Sequence, residues 1–128
     1  FRRVLFRSWM EEARVDFMNQ CGLPYAKLEQ RGIMMPVLSA SCQYKVALHF
    51  GESFSVKTIV KQYNGFKLIL SYEIYHADTG ILCATGETMH CFTDANMKPF
   101  RLKNAHPDLH LAFQQASQCT ISDSSEHV

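Results

Sequence analysis

Glu11 and Glu12 are the first residues of the chain whose type suits general acid–base or nucleophilic chemistry. They sit side by side in the run WMEEARVDFMNQC. Successive residues of a helix diverge by about 100°, so the two carboxylates cannot share one site. Either reads as a lone general base if buried, and otherwise as part of a solvated face or a complement to the helix dipole. His90 and Cys91 adjoin, but neighbours on a strand point to opposite faces, which excludes a nucleophile–base pair. His49, His76, His106, His110 and His127 fall in turns, strand ends or the C-terminal tail, where solvation is expected. Cys21, Cys42, Cys83, Cys91 and Cys119 are odd in number and show no C-x-x-C spacing. They read as reduced thiols packed as small hydrophobes in a cytoplasmic protein, not as a disulfide framework or zinc site. Neither a phosphate-cradling glycine loop nor a nucleophile elbow nor a paired-histidine helix motif is present. No metal and no cofactor is expected.

The elements that must position these groups follow from periodicity. Met10, Ala13, Phe17 and Cys21, with Met18 beside them, make one apolar face of a helix from Trp9 to Cys21. Glu11, Glu12, Arg14 and Asp16 fill much of the remainder. Ser8 followed by Glu11 reads as a capping box, and Gly22 with Pro24 as the stop. A shorter helix is predicted from Pro24 to Arg31, closed by Gly32.

From Met35 the period changes to two. Leu38, Ala40, Cys42, Tyr44 and Val46 alternate with polar residues, the pattern of a strand with one wet face. Phe54, Val56 and Val60 start a second strand that ends at Asn64-Gly65, the strongest hairpin signal in the chain. Phe66 to Ile74 forms a third strand, and Asp78-Thr79-Gly80 turns it into a fourth, Ile81 to Thr93. Pro107 to Ser117 reads as a short closing helix, and Thr120 to Val128 as a polar, frayed end. The expected architecture is one α+β domain, a helix covered by a four-stranded antiparallel meander.

Composition agrees with an ordinary soluble domain. The 128 residues are 47% hydrophobic and 20% charged, and net charge is +1. That balance offers no field to gather nucleic acid or an anionic membrane surface. No run of about 18 apolar residues exists to span a bilayer.

The order of Trp9, Glu11, Ala13 and Arg14, then Gly22, Pro24, Tyr25, Gly32 and Pro36, then Tyr44 and Gly51 resembles the hotdog-fold acyl-CoA thioesterases of the hydroxybenzoyl-CoA thioesterase type. The run KQYNGFKLILSYEIYHADTGILCATGETMHCFTDANMKPFRL is similar to that family's last three strands and its closing Lys-Pro element. The resemblance spans about Trp9 to Phe113. It implies a hotdog fold, a long central helix wrapped by an antiparallel sheet, assembled as a homodimer or homotetramer. It implies an acyl-CoA substrate and hydrolysis to free acid and CoA. A carboxylate would act on the thioester as nucleophile or base, and a helix N-terminus would hold the oxyanion. By the same resemblance that N-terminus is the first turn around Ser8, Trp9 and Met10. Lys67 beside the hairpin, and Lys98, Arg101 and Lys103 near the C-terminal turn, are candidates to pair with the nucleotide phosphates.

One segment departs from the pattern. The family opens with a strand and a loop carrying its catalytic Asp; here Arg2 and Arg3 stand for histidines, Leu5 for an Asn and Phe6 for a Tyr, and the Asp position falls before Phe1. No catalytic residue is therefore carried over. RRVLFRS reads like a translated sequencing adapter, so residues 1–8 are expected to be a non-native leader, residues 9–117 the domain and 118–128 a disordered tail. The chain itself is expected to be nearly inactive. Two other readings are a non-catalytic acyl-CoA or acyl-carrier binding module and a hotdog dehydratase. The dehydratase needs a His converging with an acid on the helix, and this helix has no His.

Overall fold

The structure, a computed structural model, describes residues 2–47, 49, 51–118 and 122–127, the backbone alone at 2–7 and 122–127. Helix α1 runs Arg2–Gln20 and α2 Tyr25–Gln30. Strands β1 (Val37–Tyr44), β2 (Ser53–Tyr63), β3 (Lys67–His76) and β4 (Leu82–Cys91) follow, then α3 (Leu102–Ala105), α4 (Pro107–Gln118) and β5 (Ser122–His127). The five strands form one sheet in the order β1-β4-β3-β2-β5, every neighbouring pair antiparallel.

The expected helix on an antiparallel sheet is present, with α1 lying on one face, but only β2, β3 and β4 follow one another as a meander: β1 crosses over to pair with β4 instead of β2. Trp9, Met10, Ala13, Phe17 and Met18 are buried. They meet the inward residues of the strands: Phe54, Val56 and Val60 of β2, then Leu68, Leu70, Tyr72 and Ile74 of β3. The Trp9 and Phe54 rings lie 5.3 Å apart. Burial alternates residue by residue along β2 and β3, as a sheet covered on one side requires. Helix α4 closes one end, where Phe113 stacks on Tyr63 at 5.4 Å and meets Phe92 edge-on at 5.2 Å.

Both helical stops are built as the sequence implies. Gly22 N–H donates to Asn19 O and Leu23 N–H to Met18 O; Gly32 N–H donates to Glu29 O and Ile33 N–H to Leu28 O. Each is a Schellman closure, with its buried apolar residue (Leu23, Ile33) just beyond the glycine.

Three expectations are corrected. The helix begins at Arg2, not Trp9, so Ser8 is no N-cap and its box with Glu11 does not form. A bulge between Val37 and Ser39 shifts the register of β1, and Leu38 lies 51% exposed. Most of β1 is exposed because it is the edge strand of the sheet. Of the polar end at 118–128, residues 122–127 form β5 against β2, with Ser53 opposite His127 and Thr58 opposite Ser122. Residues 119–121, including Cys119, and residue 128 lie outside the described residues, as does Phe1.

Candidate functional site

A cavity of about 220 Å³ opens between α1, β1 and β4, lined by Met10, Glu11, Arg14, Val37, Ala40 and Thr88. The helix supplies Glu11 and Arg14 at i and i+3, one above the other on the flank that faces the edge strand. The bulge in β1 pairs Val37 with His90 and Ala40 with Thr88, setting two small apolar walls opposite the helix.

Behind this cavity runs a buried polar chain. Arg14, 8% exposed, donates from Nε to Tyr25 Oη at 3.1 Å and from a terminal nitrogen to Tyr72 Oη at 3.3 Å. Tyr72 and Thr88 hydroxyls are 2.8 Å apart, and Thr88 Oγ1 is 2.8 Å from His90 Nε2. An arginine only donates, so Tyr72 accepts from it and can donate its own O–H to Thr88, whose hydroxyl can in turn donate to His90 Nε2. That order fits a neutral imidazole with its proton on Nδ1.

The electrostatics agree. Burial, reinforced by the nearby Arg14 charge, lowers the His90 pKa to about 4. The backbone of Met35 and Pro36 opposes that shift, although Nδ1 makes no hydrogen bond of good geometry with a described residue. Burial raises the Tyr72 and Tyr25 phenols, with Arg14 partly offsetting it in each. For Arg14 burial disfavours the charge, but the two tyrosine oxygens outweigh it and the net shift is upward.

Several sequence expectations land elsewhere. Ser8, Trp9 and Met10 are the seventh to ninth residues of α1, past its first turn, where backbone N–H groups are spent on the helix, so they do not form a helix N-terminus for an oxyanion. Trp9 and Met10 are core residues. Arg14, expected on a wet face, is buried. Glu11 and Glu12 are exposed, and only Glu11 reaches the cavity. Cys42, Cys83 and Cys91 carry free thiols; Cys83 and Cys91 are buried, Cys42 exposed. Burial raises the Cys83 thiol, the reverse of nucleophile activation.

His49 is exposed as expected, whereas His76, His106 and His110 are less solvated than expected. His76 Nε2 pairs with Glu52, His110 Nδ1 lies 2.7 Å from Tyr63 Oη, and His106 meets Arg31, itself bidentate to Asp108. These contacts tie loops and α4 to the sheet. Among the described residues no group of three or more His, Cys, Asp or Glu is placed to hold a metal ion. Nor is any described helix long and apolar enough to cross a membrane.

The four candidate phosphate-binding cations are exposed. The fold brings three of them to one corner. Leu102 N–H donates to Gly65 O at 2.8 Å, which docks α3 on the β2–β3 hairpin. Arg101 lies over the Phe66 ring, 5.7 Å from its centroid, Lys103 abuts Gly65, and Lys67 starts β3 just beyond. Lys98 is in the turn ahead, its N–H bonded to Asp94 Oδ1.

Comparison with known proteins places this geometry. Residues 4–115 match the family described as the thioesterase-like superfamily. The chain is 34% identical over 111 residues, 86% of its length and 80% of the relative's, to the candidate acyl-CoA thioesterase YneP of Bacillus subtilis (strain 168). Among solved structures it superimposes on a DHNA-CoA thioesterase from Staphylococcus aureus with a TM-score of 0.81 at 32% identity, covering 88% of this chain and 76% of that one. A hypothetical protein from Thermus thermophilus gives 0.79 at 27% identity, covering 88% and 83%.

Proposed function

The chain belongs to the thioesterase-like superfamily, a group of hotdog folds, and from that membership we infer that its chemistry is the hydrolysis of acyl-CoA thioesters to free acid and CoA. One observation carries the reading: a sequence relative named for acyl-CoA hydrolysis and a structural relative named for CoA-thioester hydrolysis both align over nearly the whole chain. The cavity beside α1 supports it, being small and largely apolar, as an acyl site requires. The cation corner of Lys67, Arg101 and Lys103, with Lys98 nearby, supplies charge for the nucleotide phosphates of CoA.

Water attack on a thioester needs a carboxylate as base or nucleophile. The stretch FRRVLFRS ahead of Trp9 contains no Asp or Glu, and the described carboxylate at the cavity, Glu11, is exposed. We therefore expect this chain to bind acyl-CoA and turn it over poorly. The exposure of Glu11, the described carboxylate at the cavity, favours the second reading, a binding module for acyl-CoA or an acyl carrier. The two part on a chimera that joins the N-terminal segment of the Bacillus subtilis relative to this chain at Trp9. Thiol release by the chimera supports the hydrolase, and binding without release supports the module.

The open β1 edge, with Met34, Val37, Leu38 and Val46 each 39–51% exposed, fits coverage by β1 of a second copy. Light scattering should give twice the chain mass or more; a monomer at tens of micromolar would end that proposal. The free, exposed Cys42 thiol suits a reducing compartment, and a cytoplasmic site is proposed on that ground.

A further inference from the structure

Arg14 is a buried cation whose hydrogen-bond partners are neutral hydroxyls, and we propose that the cavity it lines is a binding site for a small organic carboxylate, held by the Arg14 guanidinium. The inference rests on the thioesterase reading only for the origin of that carboxylate. It is either the acid released from a thioester or the free carboxylate of a dicarboxylic acyl group.

Arg14 is 8% exposed, and its two hydrogen bonds go to the hydroxyls of Tyr25 and Tyr72. They use two of its five N–H donors. Burial holds both phenols protonated, and His90, the next titratable group on that side, is neutral as well. Among the described residues no Asp or Glu forms an ion pair with Arg14 within 4 Å. Its hydrogen-bond partners are thus uncharged, and Glu11, the carboxylate that shares the cavity wall, is exposed and makes no ion pair with it.

Burying a charge with only neutral partners is costly, and folded proteins normally pair it. An entering carboxylate supplies the missing charge where water competes little, so the charge-assisted hydrogen bonds are strong. The other walls decide what carries the carboxylate. Met10, Val37 and Ala40 are apolar, and Thr88 is already spent in the chain to His90. The cavity of about 220 Å³ has room for one ring or a short chain. Glu11 stands exposed at the rim, free to turn to solvent as an anion enters.

The test is calorimetric titration of the full chain with benzoate, with benzamide as a neutral match in shape, and of an Arg14→Met variant with both. Benzoate should bind about ten- to a hundredfold tighter than benzamide, the range expected of hydrogen bonds to charged groups. Arg14→Met should abolish that preference, with far-UV circular dichroism showing that the variant is folded. Equal affinity for benzoate and benzamide overturns the proposal, and so does an Arg14→Met variant that still prefers benzoate. Should that variant fail to fold, benzoate against benzamide on the unaltered chain decides alone.

Glutaryl-CoA against pentanoyl-CoA separates the two origins. Tighter glutaryl-CoA binding identifies the terminal carboxylate of the acyl group; no difference, with benzoate binding retained, identifies the released acid. Carboxylate binding through Arg14 with no thiol release by the chimera leaves this site standing and removes the thioesterase reading. Release without carboxylate preference does the reverse.

Discussion

Acidification should weaken this fold through one residue, His90. Its ring is 0% exposed, and burial together with the Arg14 charge lowers its pKa from 6.5 to about 4. The sign follows from proton counting. Between about pH 6.5 and about pH 4 the unfolded chain binds a proton at this position and the folded chain does not, so stability rises with pH across that window. Above pH 6.5 the stabilisation is fully present, and it is lost as pH falls toward 4. The window spans about two and a half pH units at about 1.4 kcal/mol each, which gives about 3 kcal/mol at stake. A fold with about 5–15 kcal/mol in hand would lose a large share. Urea unfolding at a series of pH values measures the slope. The comparison is with His90→Gln, which cannot take up a proton. The variant should lose about 3 kcal/mol less than the parent between pH 7.5 and pH 4. Parallel curves for the two would refute the reasoning, because His90 would then not be held neutral by its surroundings.

Phe113→Ala should cost about 3–5 kcal/mol in urea unfolding, since it removes the ring that Tyr63 and Phe92 both pack on. Gly65 has φ +86° and a Cβ there would lie 3.3 Å from His110 Cε1, whereas Gly80 at φ +73° has open space around it. Both Gly→Ala changes should cost about 1–2 kcal/mol for the left-handed backbone, and Gly65→Ala should cost measurably more by disturbing the His110–Tyr63 contact. Replacing Lys67, Arg101 and Lys103 together by alanine should weaken acyl-CoA binding at least about tenfold at low salt and flatten its salt dependence, as read by calorimetry.

How far the sequence alone reveals this molecule depends on the range of the forces involved. The Asn64-Gly65 hairpin and the glycine stops after both leading helices are local, and each forms at its expected place. The start of α1 is equally local but ambiguous. Ser8 and Glu11 form a credible box, yet Arg and Leu ahead of them are good helix formers and the helix runs through. Arg14 was not legible, because a charged residue among Glu and Asp reads as a wet face. Its burial is decided by Tyr72, 58 residues away. The one sequence clue was that Arg14 and Tyr25 both stand among the residues that carry the family resemblance. Strand β5 was hidden for the opposite reason: SDSSEH has no apolar alternation, and its pairing with β2 is a matter of backbone groups. The short α3, Leu102–Ala105, is set by its dock on Gly65, again a distant partner.

The central claim, acyl-CoA hydrolysis by this fold with the acting carboxylate supplied ahead of Trp9, meets its most direct test in free-thiol release. The chimera with the Bacillus subtilis relative's N-terminal segment and the chain itself would be assayed side by side on a panel of acyl-CoAs. The chimera should release CoA at least about a hundredfold faster than the chain, the scale of a lost general base. Equal rates for the two, or no release by either while both bind acyl-CoA, would contradict the claim.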